Sequence, residues 1–391
     1  MSDYSFPAQW QEILAKKQII MPTAVQKEVI PLLAEKKNIL FQSETGTGKT
    51  LAYLIPLIDA LDTSTPQKAQ SVQLVIAAPT HELASQIKAE VQSVTDLKTA
   101  LFIGGAPLKR QQELLKEKPV IVIGTPARLT ELIMLKKLKT ADVKAFVLDE
   151  ADRLLSQELR EYTLKLAECL GAKVQVVACS ATIKPFISDL LKEAVPELGD
   201  METVVLPPED ILQRKIQHWA IFAEQRDKID TVRKFLAATN PAKALIFTSR
   251  PDQVMNIYEK LTYKKVECEA LHAKAGKQER KAAIDRFRSG KCTVLITSDL
   301  ASRGLDFPGI THIIQTDIPS DDDFFIHRAG RTARAGAEGI NVIIGDAREM
   351  RILSKMEKKL KIKVYPKVLY GGKLLAPDTI DTPDEIKEKK Q

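Results

Sequence analysis

Phe41-Gln42-Ser43-Glu44-Thr45-Gly46-Thr47-Gly48-Lys49-Thr50 follows an apolar run, Asn38-Ile39-Leu40, and this junction decides how the rest of the chain is read. A strand-like segment that stops at a Gly-rich turn and ends in Gly-Lys-Thr has the sequence form of a phosphate-binding loop. Small residues let successive backbone N–H groups converge on phosphate oxygens, and the helix that follows offers its positive end. Lys49 is placed to reach terminal phosphates, and Thr50 to hold a magnesium ion through its hydroxyl. Ser43 stands where the general G-x-x-x-x-G-K-[ST] pattern has its first glycine, so the loop departs from that pattern at one position.

Working outward, short β-rich runs alternate with amphipathic helical stretches. NILFQS, LVIAAPT, ALFIGG, VIVIGTP, AFVLDEA and VQVVACSAT form a first series. Runs that are apolar on both faces and separated by helices indicate a mostly parallel sheet covered on both sides, an α/β fold. Polar or small residues sit repeatedly at their carboxyl ends, where open α/β sheets place ligands. The pattern lapses over residues 196–215, which are rich in proline and acid. A second series, IQHWAIFA, KALIFTS, KVECEALH, TVLITSD, HIIQTDIP and INVIIGD, then repeats the architecture without a phosphate loop. The reading is therefore a first domain at 1–205, a connector at 206–215, a second domain at 216–365 and a short polar tail at 366–391. One nucleotide loop shared by two similar domains suggests a site completed at the cleft between them.

Composition bounds the function. A chain of 391 residues, 44% hydrophobic and 28% charged, suits two soluble domains. No apolar run reaches the roughly 18 residues of a membrane span, and residues 1–10 do not resemble a signal peptide. Cys169, Cys179, Cys268 and Cys292 are scattered without a C-x-x-C pair, which argues for a reducing, cytoplasmic setting and against a zinc site. The net charge of +7 leans mildly toward polyanions.

Val147-Leu148-Asp149-Glu150-Ala151-Asp152 sets three carboxylates directly after a strand. Alone it reads equally well as an acidic first helical turn. Coupled to a phosphate loop, Asp149 is placed to hold the Mg²⁺ shell, mostly through water, and Glu150 to orient an attacking water. Asp152 is then placed to bridge to other segments.

With these residues in view, the chain resembles the DEAD-box RNA helicases over roughly residues 19–345. Pro22-Thr23-Ala24-Val25-Gln26 is similar to the Q motif, Ser43–Thr50 to motif I, and Ala78–Ala84 to motif Ia. Gly104-Gly105, Thr125-Pro126-Ala127-Arg128, Asp149–Asp152, Ser180-Ala181-Thr182, Leu245–Arg250, Ser298–Asp306 and His327–Arg334 follow in family order. The resemblance implies two tandem RecA-like domains and an RNA-dependent ATPase that remodels short RNA duplexes non-processively. It implies that Gln26 selects ATP at the adenine edge, that Ser43, Glu44, Thr45, Gly46, Thr47, Gly48, Lys49 and Thr50 hold the phosphates, and that Asp306 contacts the ribose. Arg331 and Arg334 resemble arginine fingers. Asp152, Ser180, Thr182 and His327 resemble the residues that couple the domains. Pro79, Thr80, Gly105, Thr125, Arg128, Arg250, Thr297 and Arg303 stand where the family contacts the sugar–phosphate backbone, reading shape with little sequence.

A monomer with RNA and protein or ribonucleoprotein partners, acting in ribosome assembly or RNA turnover, falls within what the resemblance allows. So do an ATP-gated RNA clamp and, more distantly, a DNA translocase. The chain departs from the family pattern at His81 (customarily Arg), at Gln18-Ile19 (customarily Gly-aromatic), at Ala273 and Lys277, and at Ala333. Phe6 or Trp10 is the expected aromatic to pack on adenine.

Overall fold

Six of the seven strands of the first sheet account for the first series; the seventh, Met201–Val204, falls where that pattern lapses. The computed structural model describes residues 5–42, 47–180, 183, 186–205, 215–272, 275–302, 307–319, 321–333 and 337–379. It divides into two units, Met1–Pro207 and Pro208–Gln391. The expected connector at 206–215 falls, but for Lys215, outside the described residues.

In the first unit the strands are β1 (Asn38–Gln42), β2 (Leu74–Ala77), β3 (Thr99–Phe102), β4 (Ile121–Gly124), β5 (Ala145–Asp149), β6 (Gln175–Ser180) and β7 (Met201–Val204). They lie in the order β3-β4-β2-β5-β6-β1-β7, and every pairing is parallel. Because side chains alternate along a strand, each strand feeds two cores. Phe146 and Leu148 of β5 enter one apolar cluster, with Val75, Val122 and Val176. Ala145 and Val147 enter the other, with Leu74, Ile121 and Val177. This is why these strands read as continuous apolar runs.

The second unit holds β8 (Ile216–Phe222), β9 (Ala244–Thr248), β10 (Glu269–Leu271), β11 (Val294–Ser298), β12 (His312–Gln315), β13 (Gly339–Gly345), β14 (Val364–Tyr370) and β15 (Lys373–Leu375). Their order is β10-β11-β9-β12-β13-β8-β14-β15. The pairings are parallel except for the β14–β15 hairpin.

That hairpin corrects the reading of a polar tail beginning at 366. Val364 to Lys367 pair with His218 to Ile221 of β8, and Tyr370 pairs with Lys373 across Gly371-Gly372. Both glycines have positive φ, +56° and +75°, the backbone that a two-residue hairpin turn of matching twist requires. Residues 380–391 lie outside the described residues.

Among the described residues no helix is long and apolar enough to cross a membrane.

Candidate ATPase and nucleic-acid site

The strand order brings the chemistry to one rim. In the first unit β5, β6 and β1 are neighbours, so the phosphate loop after β1, Ser180 at the end of β6, and Asp149-Glu150 at the end of β5 share the carboxyl edge of the sheet. Gly48 caps the helix Lys49–Asp59 at φ +88°. A Cβ there would come within 2.5 Å of Gln26 Nε2, so only glycine fits.

Lys49 begins that helix and is buried, its Nζ 2.7 Å from Asp149 Oδ1. Burial alone disfavours the ammonium charge. The carboxylate of Asp149 outweighs it and holds Lys49 above the usual amine range. Tyr53, one turn further along the helix, donates its hydroxyl to Asp149 Oδ2 at 3.0 Å. Thr50 is partly buried beside them.

Glu150 has left-handed backbone at φ 60°, ψ 56°, a conformation uncommon for a residue with a Cβ and concentrated at functional sites. Its Oε2 is buried without a hydrogen-bond partner, with Arg153 at 4.0 Å. Burial pushes the carboxyl up; Lys49 opposes this and the Asp149 carboxylate adds to it. A buried, unsatisfied carboxylate oxygen beside a lysine–aspartate pair is a site prepared to receive a polar group. Among the described residues no cluster of three or more His, Cys, Asp or Glu could hold a metal by itself. The Asp149 carboxylate and the Thr50 hydroxyl are oxygen donors of the kind magnesium prefers.

Gln26 lies in the helix Ala24–Ala34 and is 1% exposed. Its Nε2 donates to Gly48 O at 3.0 Å and its Oε1 accepts from Thr23 N at 3.0 Å. The amide thus ties the helix start to the phosphate loop. Phe6 and Trp10 are both buried in a cluster with Leu14, Ile30, Leu51 and Ile55, and Trp10 Nε1 donates to Asp59 at 2.9 Å. Neither ring is free to stack on a base. Gln18 has φ +59°, which accounts for the customary glycine at its position.

The neighbouring strands β3, β4 and β2 carry the other expected group on the same rim. Gly105, exposed at φ +77°, follows β3, Thr125 and Arg128 follow β4, and Pro79 and Thr80 follow β2. Thr80 caps the helix His81–Gln92 by accepting from Leu83 N at 3.2 Å. His81 is that helix's first residue. Arg128 donates to Ala106 O at 3.1 Å and pairs with Glu131 at 3.0 Å, which fixes the Gly104-Gly105 turn against the start of the helix Pro126–Met134.

In the second unit Arg328 is the hub. It is 1% exposed. Its Nε and one terminal nitrogen each donate to Asp299 at 2.6 Å. Further bonds reach Ser249 Oγ at 2.7 Å, Asp317 Oδ1 at 3.2 Å and Gln315 Oε1 at 3.2 Å, and the guanidinium lies over the Phe247 ring at 5.4 Å. Asp317 in turn accepts from Thr248 Oγ1 at 2.7 Å and Ser249 Oγ at 2.6 Å. One cation therefore locks together the ends of β9, β11 and β12.

A DEAD/DEAH box helicase family model matches residues 23–190, and a model of the helicase conserved C-terminal domain matches residues 227–336. The chain belongs to the DEAD-box helicases. It is 37% identical over 353 residues to the DEAD-box ATP-dependent RNA helicase CshC of Bacillus cereus, spanning 90% of this chain and 88% of that one. To the probable ATP-dependent RNA helicase YfmL of Bacillus subtilis it is 38% identical over 356 residues, spanning 90% and 92%. Among solved structures, S. cerevisiae Dbp5 bound to RNA and ADP BeF3 matches with a TM-score of 0.80 at 27% identity, covering 93% of this chain and 94% of that one. The two mostly parallel sheets are those of tandem RecA-like domains.

Against this family pattern the sequence-predicted residues sort as follows. Lys49, Thr50, Asp149, Glu150, Gly48 and Gln26 come together, and Asp152 lies in the first turn of the short helix Ala151–Leu154, with its Oδ1 accepting from Arg153 N at 3.0 Å. Arg250 is exposed and pairs with Asp252 at 3.0 Å. His327 and Arg331 flank the Arg328 hub, with Arg331 buried at 9% exposure. Thr297 differs from expectation. It is fully buried in β11, its hydroxyl 3.3 Å from Ser298 O, and it presents no side-chain surface. Ser43, Glu44, Thr45, Gly46, Thr182, Arg303, Asp306 and Arg334 lie outside the described residues, as does Ala273. Two residues were missed. Tyr53 reads in sequence as one more apolar helix position, and Arg328 as one of three similar arginines in His327–Arg334.

Proposed function

We propose that the chain is an ATP-dependent RNA helicase that couples binding and hydrolysis of ATP to local, non-processive separation of short RNA duplexes or remodelling of RNA–protein complexes. The observation that carries the reading is the buried Lys49–Asp149 pair with the unsatisfied Glu150 carboxylate beside it. On ATP binding Lys49 exchanges Asp149 for terminal phosphate oxygens, and Asp149, freed of the lysine, would hold a magnesium ion together with Thr50. A bound magnesium ion supplies charge neutralisation on the phosphates. Glu150 orients the attacking water. Gln26, while bonded to Thr23 N and Gly48 O, keeps a second amide hydrogen and lone pair for the adenine edge once the side chain is uncovered, which favours ATP. Arg331 and Arg334 add positive charge at the γ-phosphate once the units close, so hydrolysis is gated by closure.

RNA runs over Pro79, Thr80, Gly105, Thr125 and Arg128 in the first unit and Arg250 and Arg303 in the second, gripped by backbone and sugar–phosphate contacts. Motion of the two units against one strand of the duplex releases the other, and hydrolysis resets the enzyme. We place the action in the cytoplasm, on the scattered unpaired cysteines and the bacterial relatives.

The test is steady-state ATP hydrolysis with and without RNA, with matched DNA as control and Glu150→Gln as the blank. RNA-specific stimulation lost in Glu150→Gln is expected. Hydrolysis indifferent to RNA, or equally stimulated by DNA, overturns the reading.

A further inference from the structure

One row of the second sheet runs from core to surface. Ile296, Ile246, Ile314 and Val342 of β11, β9, β12 and β13 are in register and buried. The row continues through Trp219 on β8 to Tyr365 on β14. At that edge Trp219 packs edge-on against Phe235 with one side, while Tyr365 is 41% exposed.

Two lysines stand over these rings. Lys363 Nζ is 5.0 Å from the Tyr365 ring centroid, and Lys367 Nζ is 5.3 Å from that of Trp219. Neither lysine forms an ion pair among the described residues, and each ammonium meets an aromatic face. The surrounding segment 355–373 holds seven lysines and a single acid, Glu357. β15 pairs only with Val368 to Tyr370, so among the described residues β14 has no strand partner on its outer side from Val364 to Lys367, and Pro366 there withholds a backbone donor. The patch lies four strands from β9, about 19 Å across the sheet at ordinary strand spacing. Arg250 lies farther still, beyond the carboxyl end of β9.

We propose that Tyr365, Lys363 and Lys367 form an accessory contact for single-stranded RNA that extends beyond the motif-lined path. The inference rests on the RNA-helicase reading above. An exposed ring with adjacent unpaired cations is the minimal apparatus for sequence-tolerant binding of a single strand, a base stacking on the ring and phosphates meeting the ammonium groups. A base arriving on Tyr365 displaces the Lys363 ammonium toward the flanking phosphate, exchanging a cation–π contact for a stack and an ion pair. Strand β14 is fixed on β8 and carries no residue of the ATPase site, so the contact adds grip without altering chemistry.

The experiment measures binding of labelled oligouridylates to the full chain, one short enough to fill only the motif-lined path and one extending well past it. The wild-type chain is expected to bind the longer probe more tightly. Tyr365→Ala weakens the longer probe about tenfold, the loss of one stacked base, and leaves the short probe unchanged. Tyr365→Phe retains the binding. Changing Lys363 and Lys367 together to Gln flattens the salt dependence for the longer probe by about 1.4 logarithmic units per decade. Equal affinity of wild type and Tyr365→Ala for the longer probe overturns the inference, as does equal loss on both probes. Failure of the short probe to stimulate wild-type hydrolysis tells instead against the RNA-helicase reading itself.

Discussion

Asp149 holds Lys49 at 2.7 Å on one carboxylate oxygen and Tyr53 at 3.0 Å on the other. All three side chains are buried, so the pair is preformed and each member depends on the others. Removing the lysine leaves an uncompensated buried charge, which costs about 3–5 kcal/mol. Lys49→Ala should therefore lower the melting temperature of the nucleotide-free protein as well as abolish hydrolysis. Thermal denaturation without nucleotide checks this; an unchanged midpoint would show the pair to be unimportant for the resting fold.

Tyr53 makes a subtler demand. Tyr53→Phe keeps the ring in the core and leaves Asp149 Oδ2 unsatisfied, at about 1–3 kcal/mol. With its carboxylate no longer held from behind, Asp149 is expected to meet magnesium less well. Titration of ATPase activity with Mg²⁺ should show the half-saturating concentration shifted upward, with RNA affinity unchanged.

Why Tyr53 escaped a sequence reading while Asp149 did not is a matter of where information lies along the chain. Strands buried on both faces carry an unbroken apolar signature, so β2, β4 and β5 were legible, and so were the polar residues that end them. Tyr53 sits inside an apolar helix, where its hydroxyl is one atom in an otherwise ordinary pattern. Arg328 is flanked by His327 and Arg331, and only the fold tells which arginine turns inward. Phe6 and Trp10 were read as candidates for adenine because an aromatic near the first helix is ambiguous between ligand and core, and packing decides for the core. The β14–β15 hairpin was legible in principle from Tyr370-Gly371-Gly372-Lys373, but the polar composition of residues 366–391 suggested a tail.

Glu150 links pH to both stability and turnover. Its folded value is raised chiefly by burial, so the folded state favours the neutral carboxyl. The stability this gives is complete below the ordinary carboxylate value and is lost as pH rises through the raised one. Glu150→Gln removes that penalty and should raise the melting temperature at neutral pH, with the advantage disappearing in acid. Turnover needs the ionised group, so the acid limb of kcat/KM, which follows the free enzyme, should be shifted upward from the ordinary carboxylate range. Melting and kcat/KM measured against pH in parallel test both signs.

Arg328 carries the second unit's rim. Lysine keeps the charge but cannot span Asp299, Ser249 and Asp317 with one planar group. Arg328→Lys should leave part of this carboxylate cluster unsatisfied and loosen the ends of β9, β11 and β12 together. The expected result is loss of most RNA-stimulated hydrolysis with nucleotide binding to the first unit retained, read by comparing RNA-stimulated rates with binding of a fluorescent ATP analogue. Loss of nucleotide binding as well would mean that the defect is not confined to the second unit.

The second unit also contains its own acid sensitivity. His218 is buried on β8, its Nδ1 3.1 Å from Asn341 Nδ2, its Nε2 without a hydrogen-bond partner and its ring stacked on Phe325 at 5.9 Å. Burial lowers its value from 6.5 to about 4, and burial lowers that of His312 as well. A depressed histidine contributes stability that is present above the unfolded value and is lost as pH falls toward the folded one. The window is therefore pH 6.5 down to about 4, and across it His218 alone accounts for about 3 kcal/mol. Gln keeps polar atoms on the side chain facing Asn341 without titrating, so His218→Gln should flatten this part of the stability curve. Denaturant unfolding of the full chain across that window, followed by Trp219 fluorescence, is the measurement. A variant that loses stability as steeply as the wild type would place the acid sensitivity elsewhere.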